Sequence, residues 1–273
     1  MSYYKVFGLD REPFSTSPDP RFFYGTLSHL TALRRLEINI RLKRGLSLVF
    51  GDVGTGKTVL CRVLAQEFRG ERDVEFHLLF DPDCESKTEF LAMLARMFRL
   101  KNDPARPRAC KEAVERYLFR QGVDRGKTVV CVIDEGQKLS IENLELLRTL
   151  LNYETNEYKL LQLVIMAQVE LTAKLDKMPN FTDRASLKYT INPLDERECA
   201  RMVAYRLKQA GYNGRRHLFS DDALRTVSVY ARGYPRRIAM LCHESLKNAV
   251  MQGRYRVEAD GVEKAARSLR MVL

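Results

Sequence analysis

Long apolar runs are missing from this 273-residue sequence. No run approaches the roughly 18 residues that a membrane-spanning helix needs. The opening residues, MSYYKVFGLDREPF, are charged and interrupted by Pro13, unlike a signal peptide. The sequence therefore argues against an integral membrane segment and a secretory leader. We expect a cytoplasmic protein, or the soluble part of a longer one.

Closely spaced cysteines are missing too. The six cysteines lie far apart, with no CxxC pair, and several fall inside apolar runs, as Cys131 does in VVCVIDE. This pattern is typical of buried free thiols and not of a zinc site. Internal repeats and low-complexity segments are also absent. At 273 residues the chain could form one large domain or two smaller ones.

Acidic residues are scarce at the two ends of the chain. The formal net charge is +11, and residues 1–50 carry 8 basic and 4 acidic side chains, whereas residues 195–273 carry 16 and 9. Arginine pairs stand at Arg215/Arg216 and Arg236/Arg237. The bias favours a polyanionic partner, such as a nucleotide, a nucleic acid or an anionic membrane face. A solvated basic surface is the alternative.

Apolar segments alternate with segments of helical periodicity over the first two thirds of the chain. The predicted strands are GLSLVF, VEFHLLF, TVVCVID, LLQLVIMA and LKYTIN. The predicted helices are LSHLTALRRLEINIRLKRG and residues 57–69, 86–100, 108–121 and 140–152. Nearly all-apolar strands separated by helices indicate an α/β fold with a parallel five-stranded sheet sandwiched by helices.

The pattern changes after Leu194. No further strand is predicted, and four helical segments can be drawn, near residues 195–210, 220–232, 235–251 and 258–269. We therefore predict three regions. They are an N-terminal strap and first helix packed on the α/β core (1–45), an α/β domain (46–193) and a small all-α lid domain (194–273).

The segment GDVGTGKT stands between a predicted strand and a predicted helix, and it fits the P-loop pattern G-x-x-x-x-G-K-[ST] in full. Its glycines let backbone N–H groups surround phosphates, and the following helix N-terminus favours negative charge. Lys57 is expected to reach the β- and γ-phosphates of ATP, and the Thr58 hydroxyl to ligate Mg²⁺. The predicted nucleotide-binding residues are Gly51, Asp52, Val53, Gly54, Thr55, Gly56, Lys57, Thr58 and Val59.

The strand VVCVIDE supplies the second half of the predicted site. Asp134 ends a buried strand, where a P-loop protein holds Mg²⁺ directly or through water. Glu135 follows directly and suits a general base that polarises the attacking water. A phosphotransferase needs no such base, so the pair favours hydrolysis over kinase chemistry. Two acidic residues that only cap a strand are the alternative.

The whole pattern resembles an AAA+ ATPase of the GspA/ExeA (general secretion pathway protein A) group. The resemblance runs along nearly the whole chain and includes the segments YKVFGLDREPFSTSPDPRFFY, SHLTALRRLEINI, GDVGTGKT, VIDEGQKLS, LLRTLLNYET, LLQLVIMAQVEL, LFSDDAL and GYPRRIAMLC. It implies a P-loop NTPase (AAA+) fold, ATP hydrolysis at subunit interfaces, and self-association into a ring or filament.

The resemblance also implies roles for residues beyond the P-loop. Arg236 in GYPRRI resembles the sensor-2 arginine that reaches from the lid to the γ-phosphate, and Arg237 is the alternative. Gln168 in MAQVEL matches the sensor-1 position, although Ala-Gln-Val stands where the family has Gly-Gln-Pro.

An arginine finger acting in trans is implied as well. Arg184 in FTDRASLKY occupies the place of the family's Gln-Arg-Ile phrase before the fifth strand, with Asp183 and Ala185 as departures. Such an arginine would project into a neighbouring subunit's site and stabilise transition-state charge. Arg148 in LLRTLLNYE is a second candidate.

Two cellular functions fit the resemblance. The first is an assembly ATPase for a secretion or pilus apparatus, cytoplasmic or peripheral at the inner membrane. The second is a transposition regulator of the same AAA+ branch, which oligomerises on duplex DNA and recruits a transposase. A small-molecule kinase is disfavoured, and a nucleotide-dependent scaffold is a further alternative. Relatives often continue into a membrane helix and a peptidoglycan-binding module, so we expect a standalone or a truncated ATPase.

Overall fold

The computed structural model describes residues 2–100, 107–214 and 217–271. The chain divides into two compact units. The first, the sheet unit, comprises Ser28–Asp52 and Leu60–Ile191. The second, the helical unit, is discontinuous in the chain. Its segments are Met1–Leu27, Val53–Val59 and Asn192–Leu273.

The sheet unit is built on five parallel strands in the order β2-β3-β4-β1-β5. The strands are β1 (Leu46–Phe50), β2 (Val74–Leu79), β3 (Thr128–Ile133), β4 (Leu161–Ala167) and β5 (Ala185–Thr190). The three central strands are buried along their whole length, whereas both edge strands are partly exposed. Continuous apolar sequence suits a strand covered on both faces, so the predicted five-stranded parallel sheet is confirmed.

Helices flank the sheet. They are α1 (Leu27–Arg41), α2 (Lys57–Glu67), α3 (Lys87–Met97), α4 (Pro107–Phe119), α5 (Ile141–Leu150), α6 (Leu171–Leu175) and α7 (Pro179–Thr182). Serine caps fix two of the starts, because Ser86 Oγ accepts from the Glu89 N–H and Ser140 Oγ accepts from the Asn143 N–H. The sequence did not predict α6 and α7, since helices of five and four residues are too short to show periodicity.

The helical unit contains the four helices predicted for the end of the chain. They are α8 (Glu196–Gln209), α9 (Asp221–Ala231), α10 (Pro235–Met251) and α11 (Ala259–Ser268). A complete capping box of Asp195 and Glu198 starts α8, and Pro235 occupies the first position of α10. Among the described residues, no helix is long and apolar enough to cross a membrane.

The N-terminal strap, residues 2–24, packs in the helical unit. Phe7, Phe14 and Phe22 are buried in the same hydrophobic cluster as α8 to α11. The Phe14 ring meets the Phe219 ring edge to face at 6.1 Å, and the Arg206 guanidinium donates to the Ser15 and Phe22 carbonyl oxygens. The sequence placed the strap on the α/β core. In the structure, the strap's three phenylalanines belong to the hydrophobic cluster of the helical unit.

Candidate nucleotide-binding site

The P-loop follows β1, and α2 begins at its Lys57. Gly54 and Gly56 have φ angles of 85° and 101°, in the left-handed region that favours glycine. Lys57 is 6% exposed and Thr55 is fully buried. At the loop's tip, Val53 is 59% exposed. The local geometry is therefore a tight turn leading into a helix N-terminus, which is the arrangement that surrounds phosphates in P-loop proteins.

Within the helical unit, the start of α10 stands directly on the P-loop. The Arg236 N–H donates to the Gly54 carbonyl oxygen at 3.2 Å, and a Cβ added at Gly54 would lie 3.1 Å from the Arg236 Cβ. The Arg236 side chain is exposed. The Arg237 guanidinium instead donates to the Tyr230 carbonyl oxygen at 2.9 Å and so caps the end of α9. The two neighbouring arginines therefore differ, because the Arg236 side chain is exposed whereas the Arg237 guanidinium is bound to the end of α9.

Three predicted site residues follow neighbouring parallel strands of the sheet unit. Gly51 follows β1, Asp134 follows β3 and Gln168 follows β4. All three therefore lie at the carboxyl ends of the parallel strands, on one side of the sheet unit. The Gly51 N–H donates to the Ala167 carbonyl oxygen at 3.2 Å, and the Asp134 N–H donates to the Leu79 carbonyl oxygen at 2.8 Å. The Asp134 side chain is 2% exposed, which places a buried carboxylate at this edge.

Glu135 and Gln168 are joined by a residue that the sequence analysis did not single out. The Gln137 Nε2 donates to the Glu135 Oε2, and the Gln137 Oε1 accepts from the Gln168 backbone N–H at 3.1 Å. Glu135 itself has a φ of 54° and starts the short turn Gly136–Lys138. The only sequence signal for Gln137 was its position two residues after Glu135.

Both candidate trans arginines line one cleft of about 660 Å³ on the sheet unit, together with Asn180 and Asp183. The Arg148 guanidinium is clamped by the Glu145 carboxylate through Nε at 2.9 and 2.8 Å and Nη2 at 2.6 Å. This pairing lowers the pKa of Glu145, and the positive charge of Arg184 adds to the effect.

The Arg184 guanidinium differs from that of Arg148 in its hydrogen bonding. Among the residues that the structure describes, no hydrogen bond to the Arg184 guanidinium is present. Of the two arginines, Arg184 therefore has the guanidinium with fewer hydrogen bonds to its own chain. The predicted basic pair Arg215/Arg216 lies outside the described residues.

Comparison with known sequences gives two relationships. The family described as "AAA domain" matches residues 40–175. The general secretion pathway protein A of Aeromonas hydrophila is 32% identical over 97% of this chain. The chain spans 48% of that protein's length.

Solved structures show the same fold at low sequence identity. The chain aligns with Drosophila ORC bound to DNA at a TM-score of 0.70 and 19% identity, covering 99% of this chain and 67% of that one. It aligns with the Aeropyrum pernix ORC2 protein in ADPNP–ADP complexes at a TM-score of 0.67 and 16% identity, covering 94% and 71%. At these identities the likeness shows the fold alone, and the predicted AAA+ P-loop NTPase fold is confirmed.

Proposed function

From the match to the AAA domain family and the 32% identity to a general secretion pathway protein A, we infer that this chain is an AAA+ ATPase of that type, and we propose that it hydrolyses ATP at sites completed by contacts between its own copies. The observation that carries the proposal is the P-loop itself, a left-handed glycine turn that ends in the buried Lys57 at the start of α2. Its N–H groups and the Lys57 ammonium suit the phosphates of a nucleotide.

The chemistry of two side chains suits Mg²⁺. The Thr58 hydroxyl and the buried Asp134 carboxylate are hard oxygen ligands of the kind that Mg²⁺ prefers. When bound with ATP, the ion neutralises charge that develops on the β- and γ-phosphates. We therefore assign Thr58 and Asp134 to the metal.

Glu135 is the proposed general base for the attacking water. It follows Asp134 at the carboxyl edge of the sheet, and its carboxylate is partly exposed, so a water molecule can reach it. Gln168 at the end of β4 is the proposed sensor-1 residue. In the helical unit, Arg236 is the proposed sensor-2 arginine, because its backbone is held on Gly54 while its side chain stays exposed.

Arg184 is the proposed finger in trans. Its uncommitted guanidinium in the cleft beside Arg148 suits a contact with the phosphates bound by a neighbouring copy. Because this contact comes from a neighbour, we expect ATPase activity to depend on self-association into a ring or filament.

The cellular role that fits best is the assembly of a secretion or pilus apparatus, from the cytoplasm or the periphery of the inner membrane. The 32% identity to a general secretion pathway protein A over 97% of this chain, which spans 48% of that protein, supports it. The transposition-regulator alternative finds no support among the relatives reported above, and we do not propose it.

Two variants test the proposed chemistry. Glu135→Gln is expected to retain ATP binding and to lose about 10²-fold or more in turnover, because the base is removed. Arg184→Ala is expected to lose turnover alone and to regain it when mixed with Glu135→Gln, whose intact arginine serves the Arg184→Ala site. Phosphate release measures turnover, and fluorescent-nucleotide titration measures binding.

Arg148→Ala in the same mixing assay is the matched comparison, since its side chain lines the same cleft. Unchanged turnover in Glu135→Gln would contradict the base assignment. Rescue of Arg148→Ala without rescue of Arg184→Ala would transfer the finger role to Arg148. Adding duplex DNA across a salt series tests the transposition-regulator alternative, which requires a DNA-stimulated rate that falls as the salt concentration rises.

A further inference from the structure

The side-chain amide of Gln137 has a defined orientation. Its nitrogen side faces a carboxylate oxygen of Glu135, which can only accept when ionised, and its oxygen side faces the Gln168 N–H, which can only donate. The flipped amide would place oxygen against oxygen and nitrogen against N–H, so only one orientation satisfies both neighbours. Gln137 is therefore a two-ended connection from the end of β4 to the carboxylate after β3.

A second connection holds the same turn. The Lys174 ammonium in α6 donates to the Gln137 carbonyl oxygen at 2.7 Å and to the Leu139 carbonyl oxygen at 2.8 Å. The α6 helix follows Gln168 closely, and the Leu171 N–H donates to the Gln168 carbonyl oxygen at 3.1 Å. The segment after β4 thus fixes both the backbone and the side chain of Gln137.

This arrangement leaves one oxygen of the Glu135 carboxylate available. Oε2 accepts from Gln137, and no hydrogen bond to Oε1 is present in the part of the chain that the structure describes. The terminal torsion of a glutamate is soft, so an unrestrained carboxylate samples many orientations. The amide of Gln137 removes that freedom and keeps Oε1 as the oxygen that can accept a proton from water.

We propose that Gln137 is a positioning residue for ATP hydrolysis, which sets the orientation of the Glu135 carboxylate by anchoring it to the backbone at the end of β4. This inference rests on the proposed function, since it concerns the same base. Gln137 touches neither nucleotide nor water in the proposal and acts through Glu135 alone. Lys174 supports it by holding the turn from the same segment.

A double-mutant cycle tests the proposal. Gln137→Ala is expected to lower kcat by about 10- to 100-fold, with the KM for ATP changed less than about twofold, because positioning and not binding is lost. In a Glu135→Ala background the same change is expected to leave the residual single-turnover rate within about twofold, since its target is gone. Equal losses in both backgrounds would show that Gln137 does not act through Glu135.

Two further variants separate positioning from general damage. Gln137→Glu keeps the length but replaces the donor with an acceptor, so it is expected to lose at least as much kcat as Gln137→Ala. Gln162→Ala removes another buried, two-ended glutamine of β4, which accepts from the Gly45 N–H and donates to the Lys159 carbonyl oxygen. It is expected to lower the melting temperature but to keep kcat per folded molecule.

Hydrogen exchange gives a readout that needs no activity. In Gln137→Ala the Gln168 N–H loses its acceptor and is expected to exchange faster than in the unmodified chain, with β1 amides unchanged. Unchanged exchange at Gln168 would overturn the anchoring. An unmodified chain without any turnover would refute the proposed hydrolysis itself, whereas turnover lost in Glu135→Ala but kept in Gln137→Ala would refute this inference alone.

Discussion

Gly136 lies between the proposed base and the connecting glutamine, and replacing it with alanine tests how closely this turn packs on β4. A Cβ added there would lie 2.4 Å from the Ile165 Cγ2, 3.2 Å from the Met166 carbonyl oxygen and 3.3 Å from the Ala167 Cβ. The first distance is roughly 1 Å inside the ordinary carbon–carbon contact. Ile165 is fully buried and β-branched, so it cannot turn away freely.

The expected change in the free energy of unfolding on Gly136→Ala follows from two opposing effects. Overpacking a buried contact typically destabilises by about 1–3 kcal/mol, and the reduced freedom of the unfolded chain returns about 0.4–1 kcal/mol. The 2.4 Å contact with the fully buried Ile165 places the overpacking effect in the upper half of its range. We therefore expect Gly136→Ala to lower the free energy of unfolding by roughly 1–2.6 kcal/mol. Urea denaturation followed by circular dichroism measures this change.

A double mutant assigns the effect to Ile165. Ile165→Ala alone should cost about 2–5 kcal/mol through its cavity, and the added methyl of Gly136→Ala should partly fill that cavity. The double mutant should therefore be more stable than additivity predicts by at least about 1 kcal/mol. Strict additivity, or a Gly136→Ala variant as stable as the unmodified chain, would refute the reasoning.

Gly261→Ala is the matched control for this measurement. Gly261 lies inside α11, and the nearest atom to its added Cβ is the Val257 Cγ1 at 3.8 Å, an ordinary contact. The substitution should stabilise the helix by about 0.5–1 kcal/mol, since alanine is the better helix former.

Two other predictions concern the lid arginines and acid stability. Arg236→Ala should lower kcat by about 10-fold or more, because it removes a proposed phosphate contact, whereas Arg237→Ala should lose its bond to Tyr230 and cost about 0.5–1.5 kcal/mol of stability with kcat retained. Steady-state ATPase rates and urea titrations on both variants separate the two roles, and equal kcat losses would contradict the assignment. Burial lowers the pKa of His77 from its usual 6.5, and its Nε2 lies 3.0 Å from the Tyr117 hydroxyl. The unfolded chain therefore takes up this proton first, so stability should fall as pH drops below about 6.5, and His77→Phe should show a smaller loss between about pH 7 and 5. Urea midpoints at each pH measure this loss, and equal slopes in both chains would count against His77.

Local sequence carried most of the fold. The segments GLSLVF, TVVCVID and LLQLVIMA are continuous apolar runs. A strand of that composition is stable only when other elements cover both of its faces. The P-loop was equally readable, because its glycines, lysine and threonine have fixed spacing and a strand and helix on either side.

Long-range packing was not readable in the same way. The apolar residues Phe7, Phe14 and Phe22 signal that the strap is buried, but no local pattern says against which helices. Gln137 was missed for a related reason. A glutamine in a turn has no periodicity, and its role depends on Gln168 and Lys174, which arrive from another part of the chain.

During synthesis of this protein, the strap is made long before the residues that it contacts. The Tyr3 hydroxyl hydrogen-bonds to His243, 240 residues further along the chain. At about 5–20 residues per second, a ribosome needs roughly 12–48 s to cover that interval. The sheet unit ends at Ile191. Its strands can therefore pair before the helices that contact the strap's phenylalanines have been synthesised. During that interval a nascent chain displays Phe7, Phe14 and Phe22 near its N-terminus, where a chaperone that binds exposed aromatic segments can engage it.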